Sequence, residues 1–403
     1  MAAITPMPPF RLGCLTTHPI PYHVALFRRV AREKDLTFKV FFGSDHTAQS
    51  HFDPGFAAHI TWDVPLRDGY ENEVLPMWGE WPHEQTFWRP YNRGLSRRLK
   101  DGRFDCLWIQ PYHRLFHYQA VLEARRLGLR VLVRDDPTPI SQPRSALKRW
   151  AKRRFFAGYH RLVDRFLAIG TLNAAYWSEL GVPAHKIGAI PYAVDNAFFR
   201  TRAPADTGAL RRQLGIPADA RVVLSVAKFQ HLKCPHHLLE AFRRLPAALA
   251  DTTWLVFIGE GELRREIERQ AAGLERVCFV GFKGQQELPA YFSLCDTLVL
   301  PSAWEAWGLV VNEAMNFAKP IIVSDRVGSG ADLVRHGENG FVFPVGDIAA
   351  LTRALEEVLA DPERARRMGR RSLEIIDTWD FEADVRGLRE TLGLAPTTPS
   401  LQR

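Results

Sequence analysis

Residues 297–325 have the sequence TLVLPSAWEAWGLVVNEAMNFAKPIIVSD, and this stretch constrains the fold more than any other. Its two short apolar runs, 297–300 and 321–323, are typical of strands buried on both faces of a parallel sheet. A loop over 301–308 and a helix over 309–317 separate them, and Pro320 stands just before the second run. The stretch therefore predicts a βαβ unit and an α/β fold with parallel sheets.

Two carboxylates lie near the point where the first strand passes into the helix. Ligands of parallel α/β units gather there, and the free backbone amides of 307–310 are expected to form an anion pocket. Glu305 precedes these amides and Glu313 follows them. An ionised carboxylate repels phosphate and accepts hydrogen bonds, so its natural partner is a hydroxyl group. A nucleotide sugar, with a polyol on each side of a phosphate, fits this arrangement, but two solvated glutamates in an ordinary βαβ unit would have the same spacing.

The run PSAWEAWGLVVNEAM resembles the Glu-x7-Glu motif of retaining glycosyltransferase family 4, the group 1 glycosyl transferases, which have the GT-B fold. The resemblance covers nearly all of 221–392 and is loose over the first 200 residues. It implies an α/β protein with two Rossmann-like domains facing a central cleft. The implied division is an acceptor-binding domain at 1–199, a nucleotide-sugar-binding domain at 200–379, a helix at about 380–392 that packs back on the first domain, and a disordered tail at 393–403.

The same resemblance implies roles for individual residues. Glu305 would hold hydroxyls of the donor sugar, and Glu313 would hold the ribose. Lys228 and Lys233 match a Gly-Arg/Lys-x4-Lys pattern whose cations contact the donor diphosphate, although Ala227 replaces the usual glycine. The remaining implied donor contacts are Gly259 in a Gly-x-Gly turn, Phe282 beside the nucleobase, and the backbone of Trp307, Gly308, Leu309 and Val310.

The first half of the chain departs from the family pattern. Residues 17–21, after the first predicted strand, contain two prolines where many members have a glycine-rich loop. His113 follows a predicted strand at 104–109 and is a candidate catalytic residue near the acceptor; His117 is a second candidate, and a surface histidine is the alternative for both. Residues 45–95 are predicted to be irregular and to shape the acceptor side, and 200–218 are predicted to be a linker.

The formal net charge is +8, from 53 Lys and Arg against 45 Asp and Glu. Such a balance suits nucleic acid, anionic lipid or an anionic substrate, and nucleic acid ranks last because no nucleic-acid-binding motif accompanies it. The basic residues are dense at 144–165, where aromatic residues are interleaved with them. This pattern is typical of an interfacial helix on anionic lipid, although a solvated basic face with packed aromatics is the alternative.

No stretch approaches the ~18–20 apolar residues that a membrane span needs, and the N-terminus has no signal-peptide pattern. The five scattered cysteines are typical of reduced thiols. We therefore expect a cytoplasmic protein that lies peripherally on the inner face of the membrane through 144–165. The resemblance implies that no metal or other cofactor is needed, so Arg134-Asp135-Asp136 is not interpreted as a metal motif.

These observations predict a retaining, metal-independent glycosyltransferase of the hexosyltransferase type. It would move a sugar from a nucleotide sugar to a glycan, lipid-linked or small-molecule acceptor in polysaccharide or glycoconjugate biosynthesis. Two alternatives remain open: a GT-B sugar-nucleotide epimerase, which would need acid and base carboxylates elsewhere in the cleft, and a non-catalytic sugar-nucleotide-binding protein. A dinucleotide-dependent oxidoreductase is disfavoured because no Gly-x-Gly-x-x-Gly follows the first strand of either half.

Overall fold

The structure is a computed structural model that describes residues 8–79, 86–140 and 145–396. Its strands are β1 (Phe10–Thr16), β2 (Leu36–Phe42), β3 (His51–Asp53), β4 (Ala58–Ile60), β5 (Glu71–Val74), β6 (Cys106–Gln110), β7 (Arg130–Arg134), β8 (Arg165–Ala168), β9 (Ile187–Ala189), β10 (Arg221–Val226), β11 (Thr253–Ile258), β12 (Val277–Gly281), β13 (Thr297–Leu300), β14 (Ile321–Ser324) and β15 (Gly340–Phe343).

Helices alternate with these strands. They are α1 (Pro21–Val30), α2 (Leu95–Asp101), α3 (Leu115–Arg126), α4 (Ala146–Tyr159), α5 (Thr171–Glu179), α6 (Asn196–Thr201), α7 (Gly208–Leu214), α8 (Pro235–Arg243), α9 (Ala247–Ala250), α10 (Arg264–Gln270), α11 (Leu288–Leu294), α12 (Leu309–Met315), α13 (Gly330–Leu333), α14 (Ile348–Ala360), α15 (Pro362–Ile376) and α16 (Phe381–Leu392).

Over the described residues the strands form two parallel sheets and one antiparallel hairpin. The first sheet has the order β5-β2-β1-β6-β7-β8-β9, the second has the order β12-β11-β10-β13-β14-β15, and β3 pairs with β4. The predicted βαβ unit is confirmed as β13, α12 and β14; both strands are fully buried, as expected for parallel strands with helices on both faces. In each sheet the strand order reverses once, between β1 and β6 and between β10 and β13, and ligands of such sheets bind outside the carboxyl ends at this switch point.

The C-terminal helix α16 lies against the first sheet. Its apolar face, which includes Val385 and Leu388, packs in one core with Trp108 and Leu132. Arg389 is only 4% exposed, and its guanidinium donates to Glu33 Oε2 at 2.7 Å and to both Asp35 carboxylate oxygens at 2.8 Å. Its Nε donates to the Ala395 carbonyl at 2.6 Å. This buried ion pair holds the helix in one position, because breaking it leaves an uncompensated charge. Residues 397–403 of the predicted tail lie outside the described residues.

The two segments that carry the chain between the halves bind each other. The carbonyl of Tyr192 accepts hydrogen bonds from Asn312 Nδ2 at 3.0 Å and from Trp379 Nε1 at 3.1 Å. The Asn196 side chain donates to the Ile376 carbonyl at 3.1 Å. These bonds fix the region where the chain leaves the first half to the region where it returns.

Two regions contain more structure than the sequence predicted. Residues 45–95, predicted to be irregular, contain the β3–β4 hairpin and the edge strand β5, with 80–85 outside the described residues. The strands β3 and β4 have only three residues each, and β5 is the polar sequence ENEV, so none shows the alternation that identifies a strand. Residues 200–218, predicted to be a linker, contain α7. Its Leu210 and Leu214 pack against the apolar core beside the second sheet, which includes Val222 and Leu298.

Helix α4 lies entirely within the basic segment 144–165, and its aromatic residues divide between a buried and an exposed face. Phe156 and Tyr159 are buried, whereas Leu147, Trp150 and Phe155 are 73%, 63% and 48% exposed. Arg144 lies outside the described residues. No helix within the described ranges is long and apolar enough to cross a membrane.

Candidate functional site

The switch point of the second sheet gathers most of the predicted donor-side residues. Lys228 follows β10, Gly259 follows β11, Phe282 follows β12 and Glu305 follows β13, while Glu313 lies in α12. The carboxyl ends of parallel strands meet at one edge of the sheet, so five residues spread over 86 positions become neighbours.

A cavity of about 150 Å³, here called the cleft pocket, lies between the two halves. From the second half it is lined by predicted site residues, namely Lys228, Gly259, Phe282, Val310 and Glu313. From the first half it is lined by Tyr22, Phe56 and Trp62, which the sequence did not identify. The pocket is therefore a joint product of both halves.

Glu313 is 1% exposed, and its Oε1 accepts a hydrogen bond from the Tyr22 hydroxyl at 2.8 Å. Tyr22 lies in the first turn of α1, directly after the switch-point strand of the first sheet. Burial raises the pKa of Glu313 from its ordinary 4.5 to about 8, and the Tyr22 hydroxyl opposes this rise only in part. The carboxyl group is thus neutral at neutral pH, and the bond to Tyr22 joins the two halves across the cleft.

Both predicted lysines are paired with carboxylates. The Lys228 ammonium lies 3.0 and 3.1 Å from the two Asp53 oxygens and 4.4 Å from the centroid of the Phe56 ring. Burial opposes the ionisation of Asp53, but Lys228 and the backbone amides of residues 55 and 56 hold its pKa below the ordinary value. The Lys233 ammonium forms a close ion pair with Glu305 Oε2. Two predicted site residues, Lys233 and Glu305, therefore neutralise each other, and neither lines the cleft pocket.

Gly259 and Gly308 each have a conformation that favours glycine. Gly259 has φ +137°, and a Cβ there would lie 2.0 Å from the Ala227 carbonyl oxygen. Its lack of a side chain lets the segment that carries Lys228 approach β11. Gly308 has φ +93° at the start of α12, where a Cβ would contact Leu300 at 3.0 Å. Glycine therefore permits the turn that places Glu305 before the helix and Glu313 within it.

The side chain of Trp307 is part of the core rather than of the pocket. It is 4% exposed, its Nε1 donates to Asn312 Oδ1 at 2.9 Å, and its ring stacks on Trp379 at 5.6 Å. Only its backbone remains a candidate for ligand contact. Leu309 begins α12, and no side chain among the described residues caps that helix. The Val311 amide donates to the Gly308 carbonyl at 2.9 Å, so the amides of Leu309 and Val310 are the candidates for a ligand.

His113 lies in a second cavity, of about 270 Å³, at the switch point of the first sheet. Its side chain is 53% exposed, and its Nδ1 is 3.5 Å from Asp135 Oδ2. His117, by contrast, is fully buried in α3 and is not a residue of this cavity. Gln110, at the end of β6, is 3% exposed, and its side-chain amide has no hydrogen-bond partner among the described residues. The sequence places Gln110 at the end of a predicted strand, where cleft residues are expected, but only the two histidines after it were named as candidates.

We expect Glu313 to produce a pH dependence of stability. The folded protein keeps the proton that the unfolded chain loses above pH 4.5, so the free energy of unfolding should fall as pH rises from 4.5 to about 8, by up to ~1.4 kcal/mol per pH unit. Glu313→Gln removes this contribution. Denaturant midpoints of both proteins at pH 5 and pH 8 test this, because groups common to both cancel in the comparison. The stability of the variant relative to wild type should increase between pH 5 and pH 8. The same stability difference at both pH values would contradict a buried neutral carboxyl.

Residues 206–374 match the sequence profile of the family described as Glycosyl transferases group 1. The chain is 34% identical over 222 residues to 2-deoxystreptamine glucosyltransferase of Streptomyces kanamyceticus, covering 54% of this chain and 55% of that protein. It is 31% identical over 327 residues to putative glycosyltransferase EpsD of Bacillus subtilis (strain 168), covering 78% of this chain and 83% of EpsD. The chain thus spans about half the length of the first relative and most of the second.

The fold is shared with a crystal structure of Anabaena Alr3699/HepE in complex with UDP and glucose. The TM-score is 0.71 over 95% of this chain and 99% of that chain, at 18% sequence identity. The predicted fold class is confirmed: the chain has two Rossmann-like α/β domains in the GT-B arrangement. With the profile match and the long alignment to EpsD, the chain belongs to the group 1 glycosyltransferases.

Proposed function

We propose that this protein transfers a sugar from a nucleotide-sugar donor to a glycan, lipid-linked or small-molecule acceptor. The observation that carries the proposal is the cleft pocket, which brings Lys228, Gly259, Phe282 and Glu313 together at a switch point, with the Lys233–Glu305 pair beside it. The relatives support it: one is described as a glucosyltransferase, and the HepE structure contains UDP and glucose. Descriptions as glycosyltransferases favour transfer over the epimerase and the non-catalytic binder.

In this proposal the bound donor replaces several contacts that cleft residues make with one another in its absence. Phosphate oxygens take the place of Asp53 on Lys228 and of Glu305 on Lys233, since a phosphate forms charge-assisted hydrogen bonds with ammonium groups. Glu305 is then free to accept hydrogen bonds from the sugar hydroxyls. The ribose replaces Tyr22 at Glu313. The second domain thereby holds the donor, and the cavity with His113 and Gln110 in the first domain receives the acceptor.

We also propose that the reaction is metal-independent and retains the donor's anomeric configuration. The two lysines and the first amides of α12 would stabilise the negative charge that develops on the leaving diphosphate. The acceptor oxygen forms its bond to the anomeric carbon on the face from which the diphosphate departs. As the bond from the anomeric carbon to phosphate oxygen breaks, that oxygen takes the proton of the acceptor hydroxyl, so no protein base is required.

The first test of this function concerns the lysines. A panel of nucleoside diphosphates, screened by thermal shift, identifies the base that binds. Lys228→Ala or Lys233→Ala should then weaken the binding of that nucleotide roughly 10- to 100-fold, because each removes a charge-assisted hydrogen bond of ~1.5–3 kcal/mol. Lys100→Ala, which changes an exposed lysine on α2, is the matched control.

A chelator tests metal independence. Wild-type activity should persist in chelator; loss of activity that magnesium or manganese restores would contradict metal independence.

The second test separates the two glutamates and reads the stereochemistry. Glu313→Gln should mainly raise the donor KM, because ribose contacts change little between ground state and transition state. Glu305→Gln should lower kcat more, because the sugar that it orients is the reacting part. Proton NMR of the product should show the anomeric configuration of the donor. An inverted product would contradict retention, and a glycosyl ester trapped on Glu305 would contradict the same-face route.

We further propose that α4 attaches the protein peripherally to an anionic membrane. Its exposed Leu147 and Trp150 lie on the same helix as the exposed Arg153 and Arg154. Apolar side chains that enter the acyl boundary and basic side chains that contact lipid headgroups are the two contributions to interfacial binding. A membrane position would also bring a lipid-linked acceptor to the first domain.

Sedimentation with vesicles tests this attachment. Replacing Arg153 and Arg154 with Glu should weaken binding to phosphatidylglycerol vesicles, and wild-type binding should fall steeply with salt. The same change at Arg366 and Arg367, an exposed basic pair on α15 with side chains 61% and 59% exposed, should have little effect. Equal binding to neutral and anionic vesicles would contradict the electrostatic contribution.

A further inference from the structure

We propose that the nucleobase of the donor is enclosed by both domains, with Phe56 and Trp62 of the first domain covering it against Phe282 of the second. The inference rests on the proposed function and deepens it, because it assigns base recognition to residues of the domain that receives the acceptor. It concerns residues 51–63, here called the strap, which comprise the β3–β4 hairpin and the three residues that follow it.

The strap is fastened to the second domain at two polar points. At one end Asp53 pairs with Lys228 at 3.0 Å. At the other end the Asp63 carboxylate accepts hydrogen bonds from the backbone amides of Gln285 at 2.9 Å and Gln286 at 2.7 Å. The backbone also fits this contact closely, since a Cβ at Gly284 would lie 2.2 Å from Asp63 Oδ2. Two carboxylates thus hold the strap on the second domain, Asp53 on the segment after β10 and Asp63 on the loop after β12.

Three aromatic rings meet between these two points. The Phe282 centroid is 4.9 Å from that of Phe56 and 5.8 Å from that of Trp62, with interplanar angles of 77° and 70°. All three side chains are partly exposed, and all three line the cleft pocket together with Lys228 and Glu313. The rings therefore border a space that continues to the groups proposed for phosphate and ribose.

The chemistry of the lining decides which part of the donor belongs there. The phosphates require the lysines, and the ribose hydroxyls require Glu313, so the aromatic wall remains for the flat base. Base faces stack on aromatic side chains, whereas backbone and side-chain polar groups near Gln285 can meet a base edge. Because the rings come from both domains, the base would be enclosed only while the strap lies on the second domain. When a phosphate replaces Asp53 on Lys228, the bonds from Asp63 to the amides of Gln285 and Gln286 keep it there.

Affinities for two ligands test this assignment. The nucleoside diphosphate selected from the panel contains the base, and inorganic pyrophosphate lacks it; calorimetry measures the first and phosphorus NMR the second. Trp62→Ala should weaken nucleotide binding about 10- to 100-fold and leave pyrophosphate binding unchanged. Phe56→Ala should weaken nucleotide binding by a similar factor and pyrophosphate binding far less, because the Phe56 ring also contacts the Lys228 ammonium. Phe52→Ala is the matched control, because Phe52 lies on the same hairpin, is 55% exposed and does not line the pocket. Phe56→Tyr keeps the ring and should keep the affinity.

A second variant separates the rings from their support. Asp63→Ala frees one end of the strap without changing a ring. It should weaken nucleotide binding more than pyrophosphate binding, as the ring variants do. Equal loss of nucleotide and pyrophosphate in the ring variants, or unchanged nucleotide affinity in them, would overturn the inference and leave the glycosyltransferase proposal standing. A wild-type protein that binds none of the nucleoside diphosphates would overturn both.

Discussion

The cleft of this protein depends on the neutralisation of charge. Two ammonium groups, Lys228 and Lys233, are partly buried, with 33% and 18% of their side chains exposed. A buried charge without a partner is costly, and a carboxylate at hydrogen-bond distance offsets that cost. Asp53 and Glu305 provide these carboxylates. An anionic ligand would also neutralise these lysines. In the proposal, the carboxylates of Asp53 and Glu305 therefore occupy the positions that the phosphates of the donor would take.

The choice of Asp53 has a structural consequence, because it belongs to the other half of the molecule. The pair with Lys228 draws the β3–β4 hairpin across the cleft, and the bonds of Asp63 to the loop after β12 hold the segment at its second end. Tyr22 adds a third connection through Glu313. Charge pairing, the position of the hairpin and the shape of the cleft pocket are therefore parts of one arrangement.

The two sheets contribute to the cleft in the same way. Each presents its switch point. In the first sheet Gln110 ends β6 and His113 follows it, and in the second sheet Lys228 follows β10 and Glu305 follows β13. The first cavity has a mixed polar lining that includes the buried Gln110 amide, for which the described part of the chain provides no hydrogen-bond partner. The pocket of the second combines paired cations with aromatic rings. A polyol suits the former lining, and a nucleotide suits the latter.

The amino-acid sequence by itself predicted the parallel α/β class, the β13–α12–β14 unit and the donor-side candidates. These depend on local information: apolar runs mark buried strands, and the spacing of Lys228, Lys233, Glu305 and Glu313 is a property of short segments. The side-chain role of Trp307 was beyond such information, because its packing on Trp379 involves a residue far along the chain. The same limit applies to α4, where only packing decides that Phe156 is buried and Trp150 exposed.

Tertiary structure alone decided what the first half contributes to the pocket. Tyr22 meets Glu313 across 291 positions, Asp53 meets Lys228 across 175, and Asp63 meets Gln285 across 222. The strands that carry Asp53 and precede Asp63 have only three residues each, so no periodicity identifies them. Their positions follow from how two separately folded sheets face each other, and that arrangement is set by contacts distributed over the whole chain rather than by any one segment of it.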